Sequence, residues 1–329
     1  MLIISQQEVV ELLPMDECMA AMADALASLA RGDALLPLRT MLHLPRDLGI
    51  LATMPGYIGD PEALGIKVIS VFPGNHGTEF DSHQGVVLLF ETQHGSPVAM
   101  MDASAVTAIR TAAVSGVATG LLARAGATDL CILGSGVQAR THLAAMLFAR
   151  RIERVRVWSR NAENARTFAR EAHERHGIVV EVHGDARNAV EGSDIVCTVT
   201  ASREPVLFSE WLKPGAHVNA VGASLRTARE LDSATMARAK LFVDRRESAL
   251  NEAGDFLIPR GEGLFGDDHI RAEIGEVLAG THAGRASEME ITVFKSLGLA
   301  VEDVAAARHV HHRALERGLG TTVLLGGRR

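Results

Sequence analysis

With 329 residues, 47% of them hydrophobic and 22% charged, the chain is long enough for about two domains and can bury a core without metal or disulfide staples. Its 33 Lys and Arg against 40 Asp and Glu leave a formal charge of -7, which excludes a nucleic-acid binder working chiefly by phosphate neutralisation. Cys18, Cys131 and Cys197 lie far apart, two of them inside apolar runs, and read as buried thiols of a reducing compartment. Unbroken apolar runs fall short of the ~20 residues of a bilayer span, and residues 1–5 lack the basic flank of a signal peptide. A cytoplasmic protein with neither membrane nor nucleic-acid partners is expected.

In chain order, Ser5-Gln-Gln-Glu8 fits a capping box, and apolar residues at helical spacing after Pro14 predict a helix that stops at Gly32. From Arg39 to Asp102 the texture changes to short apolar runs between turn residues. These predict strands over 40–44, 50–53, 66–71, 86–90 and 98–101 in one antiparallel or mixed sheet. The Ala-rich, proline-free run 103–125 predicts a helix ended by Gly126 and linking two domains. Beyond it, strands over 129–133, 154–158, 179–182, 194–199, 216–221 and 240–243 alternate with helices over 137–150 and 161–176. Such repeated βα units imply a doubly wound parallel sheet, so the fold class is α/β. A last helix over 299–317 is expected to pack back on the first domain, and the tail 326–329 to fray.

The sharpest local motif is Leu130-Cys-Ile-Leu-Gly134-Ser-Gly136-Val-Gln-Ala139, a strand running through Gly-x-Gly-x-x-Ala into a helix. Gly134 permits a tight turn, Gly136 lets backbone approach a pyrophosphate, Ala139 allows close helix–strand contact, and the helix N-terminus offers N–H groups to phosphate. Ser135, Val137 and Gln138 complete the turn, and Thr198, Val199, Thr200 and Val221, at the ends of two later strands, join the candidate cofactor set. At the end of the second strand, where an NAD enzyme places an acid for the ribose hydroxyls, the chain has Trp158-Ser159-Arg160-Asn161. Arg160 can fork onto a 2′-phosphate while Ser159 and Asn161 donate hydrogen bonds, so NADP(H) is favoured over NAD(H).

Charges inside apolar runs mark the second site, because an unpaired buried charge is costly. Lys67 interrupts Ile66-Lys-Val-Ile, Arg110 lies within an otherwise apolar helix, and Arg39 begins another run. Together they suggest a cationic pocket for a small carboxylate, with Glu91 and Asp102 as the main acids nearby. No metal site is expected. His309, His311 and His312 cluster without a carboxylate or Cys set, and His173-Glu-Arg-His176 lacks the His-Glu-x-x-His spacing. His83 reads as a structural histidine that could face the pocket.

Several runs resemble the ornithine cyclodeaminase/mu-crystallin family: Lys67-Val-Ile-Ser-Val-Phe-Pro-Gly-Asn75, Ser82-His-Gln-Gly-Val-Val-Leu-Leu-Phe90 and Thr107-Ala-Ile-Arg-Thr-Ala-Ala-Val-Ser115. So do the glycine turn, Pro214-Gly-Ala-His-Val-Asn-Ala-Val-Gly-Ala-Ser224 and Val293-Phe-Lys-Ser-Leu-Gly298. The resemblance implies a homodimer in which an α+β substrate and dimerisation domain, residues 1–115 completed by 303–329, is combined with a Rossmann domain, residues 116–302. It also implies that Arg39 and Arg110 bind the substrate carboxylate and that Lys67 lies beside the reacting C–N bond. Asn75 and Thr111 would help line the pocket, Thr111 on the cofactor side, with Ser296 and Gly298 near the nicotinamide.

One departure matters. Where cyclodeaminases of the family carry an Asp that handles the substrate amine, the stretch Gly222-Ala-Ser-Leu-Arg-Thr-Ala-Arg-Glu-Leu-Asp232 places Ser224, a hydroxyl that cannot take a proton from an ammonium at neutral pH. Glu230 and Asp232 read as helix-start acids. The Gly-Ala-Ser form resembles the mu-crystallin branch, whose members reduce ketimines with NADPH. The expected activity is NAD(P)H-dependent reduction of a C=N bond next to a carboxylate, as in Δ1-pyrroline-2-carboxylate or Δ1-piperideine-2-carboxylate, with Lys67 and Arg110 as catalytic residues and Ser224 in the substrate site. The alternatives are an amino-acid dehydrogenase or reductive aminase, an ornithine cyclodeaminase, and a non-catalytic NADPH-binding protein.

Overall fold

A computed structural model describes residues 1–75 and 77–326, so the tail after Gly326 lies outside the described residues. The chain divides into two units, Met1–Arg110 with Gly298–Arg329, and Thr111–Leu297, with joins at 110/111 and 297/298 rather than at the 115/116 and 302/303 read from the sequence.

The first unit is built on one sheet. Its strands are β1 (Leu2–Ile4), β2 (Ala34–Leu35), β3 (Thr40–His43), β4 (Ile50–Ile58), β5 (Ala63–Val71), β6 (His83–Phe90), β7 (Pro97–Asp102) and, late in the chain, β16 (Thr321–Thr322). They run in the order β16-β1-β7-β6-β5-β4-β2, with β3 also on β4. Strands β4 to β7 form an antiparallel meander, and β1 adds parallel to β7. The opening helices, Gln6–Leu12 and Met15–Ala30, begin where expected, the first with the Ser5/Glu8 capping box. Strand β4 runs on through Pro55 and Gly56 to Ile58, beyond the 50–53 predicted. Pro55 falls between the stretches of β4 that β3 and β2 cover, so its missing N–H interrupts neither of those pairings.

Alternation decides which side chains of this sheet are enclosed. Ala52, Met54, Gly56 and Ile58 on β4 and Ala63, Gly65, Lys67 and Ile69 on β5 are its inward set. Over that face lies the C-terminal helix, Ala300–Arg317, with Val301, Val304, Ala307, Val310 and Ala314 fully buried. Glycines let it come close. A Cβ at Gly56 would stand 3.1 Å from that of Ala300, and one at Gly65 would meet Val304 at 3.1 Å and the Leu88 carbonyl at 2.6 Å. The first turn of the helix, carrying Glu302 and Asp303, is thereby laid onto the strand that carries Lys67.

Helix Ala103–Leu122 continues from β7, its start capped by Asp102, whose Oδ1 accepts from the Ala105 N–H at 2.7 Å. By length and composition it would span a bilayer, which reading unbroken runs overlooked because Arg110 interrupts it; most of it is buried inside the protein.

The second unit holds β8 (Asp129–Leu133), β9 (Arg154–Trp158), β10 (Val180–Val182), β11 (Ile195–Thr198), β12 (His217–Ala220), β13 (Lys240–Val243), β14 (Ile270–Glu273) and β15 (Thr292–Lys295). All pair in parallel, in the order β10-β9-β8-β11-β12-β15-β13-β14. Reversal of direction at β8 is the doubly wound, Rossmann-type arrangement, with helices Val137–Ala149 and Ala162–His176 as its first crossovers. Strands β14 and β15 were not predicted.

Because the helix rests on backbone where Gly65 has no side chain, Gly65→Val is expected to lower the urea midpoint by the equivalent of about 1–3 kcal/mol of overpacking. An unchanged midpoint would show that the helix does not lie that close.

Candidate active site

In the first unit, strand alternation points Lys67 inward, where it is 2% exposed, between register neighbours Met54 and Val87. Its Nζ lies 2.7 Å from Asp303 Oδ2, on the C-terminal helix, and 3.5 Å from the Thr107 hydroxyl. Asp303 Oδ1 accepts from Arg110 Nε at 2.8 Å, while Arg110 Nη1 reaches Glu302 Oε2 at 2.7 Å. Glu302 Oε2 also accepts from the Leu299 N–H at 3.1 Å, so it caps the helix and holds Arg110 at once.

Two buried cations are thus met by two fully buried acids. Burial brings Lys67 down to about 8, opposed by Asp303 and assisted by Arg110 and Arg39. For Asp303, burial pushes the carboxyl up, but Arg110 and then Lys67 outweigh it and leave it below its ordinary value.

Arg39 joins this group through Gly298, whose carbonyl accepts from Arg39 Nη2 at 3.0 Å. Gly298 has φ +79°, and a Cβ there would stand 2.5 Å from Arg110 Nη1. Only glycine suits both the conformation and the space. Expected beside the nicotinamide, Gly298 is placed within its own unit against the two guanidinium groups.

The acids named from sequence proximity are corrected. Glu91 closes its own turn, accepting from the backbone of Gln93, His94 and Ser96, and these bonds hold its carboxyl down at about 2. Asp102 caps the helix it precedes. The partners of Lys67 and Arg110 are Asp303 and Glu302, nearly two hundred residues away from Arg110 in sequence. Asn75 uses its amide to donate to the Asp81 carbonyl at 2.9 Å, tying its own loop together. His83 bonds Ser82 Oγ at 3.0 Å and is held below its ordinary value by partial desolvation and then by the charge of Lys67.

In the second unit the glycine turn has the shape a dinucleotide requires. Gly134 has φ +126°, and a Cβ there would lie 2.7 Å from the Val199 carbonyl. Space is open around Gly136, which as N-cap offers helix Val137–Ala149 no side chain in place of an anion. Val137 is exposed, Gln138 partly so, and Ala139 is buried against the sheet. Ser135 Oγ meets Ser159 Oγ at 2.8 Å, and Arg140 Nη1 donates to the Ser135 carbonyl at 3.1 Å, fixing the turn to the end of β9. Arg160 is exposed. Asn161 is the N-cap of helix Ala162–His176, its Oδ1 accepting from Glu163 at 2.9 Å, so its oxygen has a structural task besides any contact by its amide nitrogen. Thr111 is buried, and Ser296 is 2% exposed with its hydroxyl unpartnered among the described residues, an orphan donor that suits a bound polar group.

Behind the ends of β11 and β12 lies a buried charged set that sequence reasoning missed. Glu230 is no helix-start acid. It accepts from the Thr198 hydroxyl at 2.9 Å, the Thr200 N–H and hydroxyl at 2.6 and 2.7 Å, and the Gly222 N–H at 2.7 Å. The hydroxyls of Thr198 and Thr200 therefore serve Glu230, while Val199 and Val221 contribute backbone bonds to Leu133 and Thr198. Burial raises the Glu230 carboxyl above its ordinary value against the Thr200 bonds.

Asp255 accepts from the Glu230 and Leu231 N–H groups and pairs at 2.9 Å with Lys295, whose Nζ also donates to the Ala223 carbonyl at 2.6 Å. Ser224 follows directly, partly exposed. Lys295 interrupts Thr292-Val-Phe-Lys as Lys67 interrupts its own run, so the same signal was there to find it. Asp232 caps Ser233–Arg238 as expected. Among the described residues no three His, Cys, Asp or Glu side chains gather as a metal site would require.

A parallel Rossmann-type unit with an open glycine turn, in one chain with a sheet domain carrying buried cations, defines a two-domain protein of the dinucleotide-binding class. The chain belongs to the ornithine cyclodeaminase/mu-crystallin family, whose profile matches residues 1–318. Over 324 residues it is 41% identical to Delta(1)-pyrroline-2-carboxylate reductase of Bacillus cereus, covering 98% of this chain and 99% of that one. It is 44% identical to ketimine reductase mu-crystallin of Mus musculus over 290 residues, 87% of this chain and 88% of that one. Among solved structures, Thermococcus litoralis Delta(1)-pyrroline-2-carboxylate reductase, in complex with NADH and L-proline, superposes with a TM-score of 0.96 at 42% identity, over 98% of this chain and 100% of that one.

The buried Lys295–Asp255 pair gives a direct test of the second charged set. Lys295→Met leaves Asp255 uncompensated and the Ala223 carbonyl without its donor, and is expected to cost about 3–5 kcal/mol in urea unfolding. A loss below about 1 kcal/mol would show that the pair does not hold the Ser224 loop.

Proposed function

We propose that this chain is an NAD(P)H-dependent reductase of C=N bonds next to a carboxylate, acting on cyclic ketimines such as Δ1-pyrroline-2-carboxylate and Δ1-piperideine-2-carboxylate to give the cyclic L-amino acids proline and pipecolate. The observation that carries this reading is the buried pair Lys67 and Arg110, with half-buried Arg39 joined to them through Gly298, in a chain that also bears an open dinucleotide turn. The named relatives, similar over nearly the whole chain, support it.

Arg39 and Arg110 hold the carboxylate. The two acids fix the orientation of the Arg110 guanidinium through its Nε and Nη1. A reduced dinucleotide held by its pyrophosphate at Gly134, Gly136 and the N-terminus of helix Val137–Ala149 would supply the hydride for the imine carbon. Lys67 supplies the proton to nitrogen, and an ammonium poised near pH 8 both carries that proton at neutral pH and releases it readily. Ser224 offers no base for the substrate amine, which argues against cyclodeamination.

We further propose NADPH as the preferred reductant. Arg160 stands exposed where an acid would otherwise receive the ribose, beside Ser159 and Asn161. The protein is a homodimer in this reading. Pro55, Tyr57, Leu64, Ile66, Val68, Leu88 and Met100 alternate with the inward set and leave the second face of the sheet apolar and half-exposed. The buried thiols, with Cys18 and Cys197 pushed up to about 12 by burial, accord with a cytoplasmic location.

Purified protein should oxidise NADPH with either cyclic imine and release no ammonia from ornithine. Arg160→Glu is expected to lower kcat/KM for NADPH by about tenfold to a hundredfold while sparing NADH. A wild-type preference for NADH would overturn the Arg160 reading. Ile66→Asp should halve the mass measured by light scattering, and a wild-type monomer would refute the dimer.

A further inference from the structure

We propose that Asp303 is the positioning residue for proton delivery: one carboxylate whose two oxygens hold Lys67 and Arg110 at fixed posts, keeping the ammonium charged where its proton is spent. This rests on the imine-reductase reading above. In that step the imine nitrogen gains a proton from Lys67 Nζ and the imine carbon gains hydride from the reduced nicotinamide. The C=N bond becomes single, the dinucleotide is oxidised, and neutral Lys67 regains its proton from solvent.

Lys67 is surrounded from four elements. Arg110 faces it from helix Ala103–Leu122, Arg39 from the segment before β3, His83 from the adjoining strand, and Asp303 from the C-terminal helix; Thr107 adds a hydroxyl. Burial and the two guanidinium groups all favour loss of its proton, and Asp303 is the counterweight. Glu302 is adjacent in sequence but differs in role. Glu302 holds Arg110 and caps its own helix at the Leu299 N–H, whereas Asp303 touches both cations. The neighbouring acids therefore divide the work and can be separated by mutation.

The test is the pH profile of kcat/KM from 6 to 10 with Δ1-piperideine-2-carboxylate and NADPH, alongside the rate at which acetic anhydride acylates Lys67 in cofactor-free protein. Activity belongs to the protonated amine, so it falls as pH rises through the Lys67 value. The wild-type alkaline limb is expected near pH 8. In Asp303→Asn that limb and the acylation midpoint should move at least one pH unit lower, so the loss is largest at alkaline pH and shrinks towards pH 6. Asp303→Glu should restore most of both. Glu302→Gln should leave the limb in place and raise KM, and Lys67→Arg, whose guanidinium keeps its proton, should lose turnover at every pH.

A loss in Asp303→Asn that is equal at every pH, an unmoved acylation midpoint, or turnover retained in Lys67→Arg would overturn the proposal. Should Asp303→Asn not fold, the limb and the acylation midpoint of Asp303→Ser, a smaller uncharged replacement, are read in its place. Should the wild type reduce no imine, the reading of the reaction fails, while the acylation midpoints still judge Asp303.

Discussion

Everything in the first unit depends on burying two cations and two carboxylates under one sheet face. Removing any one of these charges from water costs several kcal/mol, and mutual attraction offsets that only when hydrogen-bond geometry is good on all sides. Here it is. Asp303 uses both oxygens, Glu302 caps a helix while binding Arg110, and all four groups are nearly or fully enclosed. Such an arrangement is a poor way to gain stability, since well-packed apolar side chains of similar volume often do as well or better. Its use is to keep charge in a place where solvent would otherwise dilute it, which is what a reaction that creates and quenches an iminium needs.

The second unit repeats the device with a different purpose. Glu230, Asp255 and Lys295 are buried at the ends of the strands from which the Ser224 loop departs, and their partners are mostly backbone: Thr200, Gly222, Ala223, Leu231 and Glu230 itself. A parallel sheet leaves loops at its carboxyl edge without a ladder to hold them. Carboxylates that accept from several backbone N–H groups supply the missing order. The charges stand behind the loop, and the loop itself presents a neutral hydroxyl.

Much of this was legible in the sequence, for a physical reason that also explains the failures. A cation inside an apolar run has few explanations, so Lys67 and Arg110 stood out; Lys295, in the same kind of run, was open to the same reading. The glycine turn was legible because strand, turn and helix are consecutive. The acids were not. Glu302 and Asp303 occupy the first turn of a helix, where carboxylates are ordinary and usually solvated, and nothing local says that this turn is pressed against a sheet. Glu91 and Asp102 were nearer in sequence, but each had an unmet N–H of its own turn or helix to satisfy, and short-range backbone bonds claimed them. Partner choice across nearly two hundred residues is set by the packing of the C-terminal helix, which depends on the missing side chains of Gly56 and Gly65.

Ser224 shows how a shared scaffold can bear different chemistry. The backbone before Ser224 is held by Glu230 at the Gly222 N–H and by Lys295 at the Ala223 carbonyl, and the Glu230 carboxyl is raised by burial and by Asp255. A carboxylate at position 224 whose pKa was raised in the same way would be a stronger base towards an amine. With serine, that tendency has no group to act on, and the proton chemistry falls to the opposite kind of residue: a lysine whose burial loosens its proton and whose aspartate retains it. In the proposed reaction the proton therefore comes from a buried lysine paired with an aspartate, and Ser224 adds no acid or base of its own.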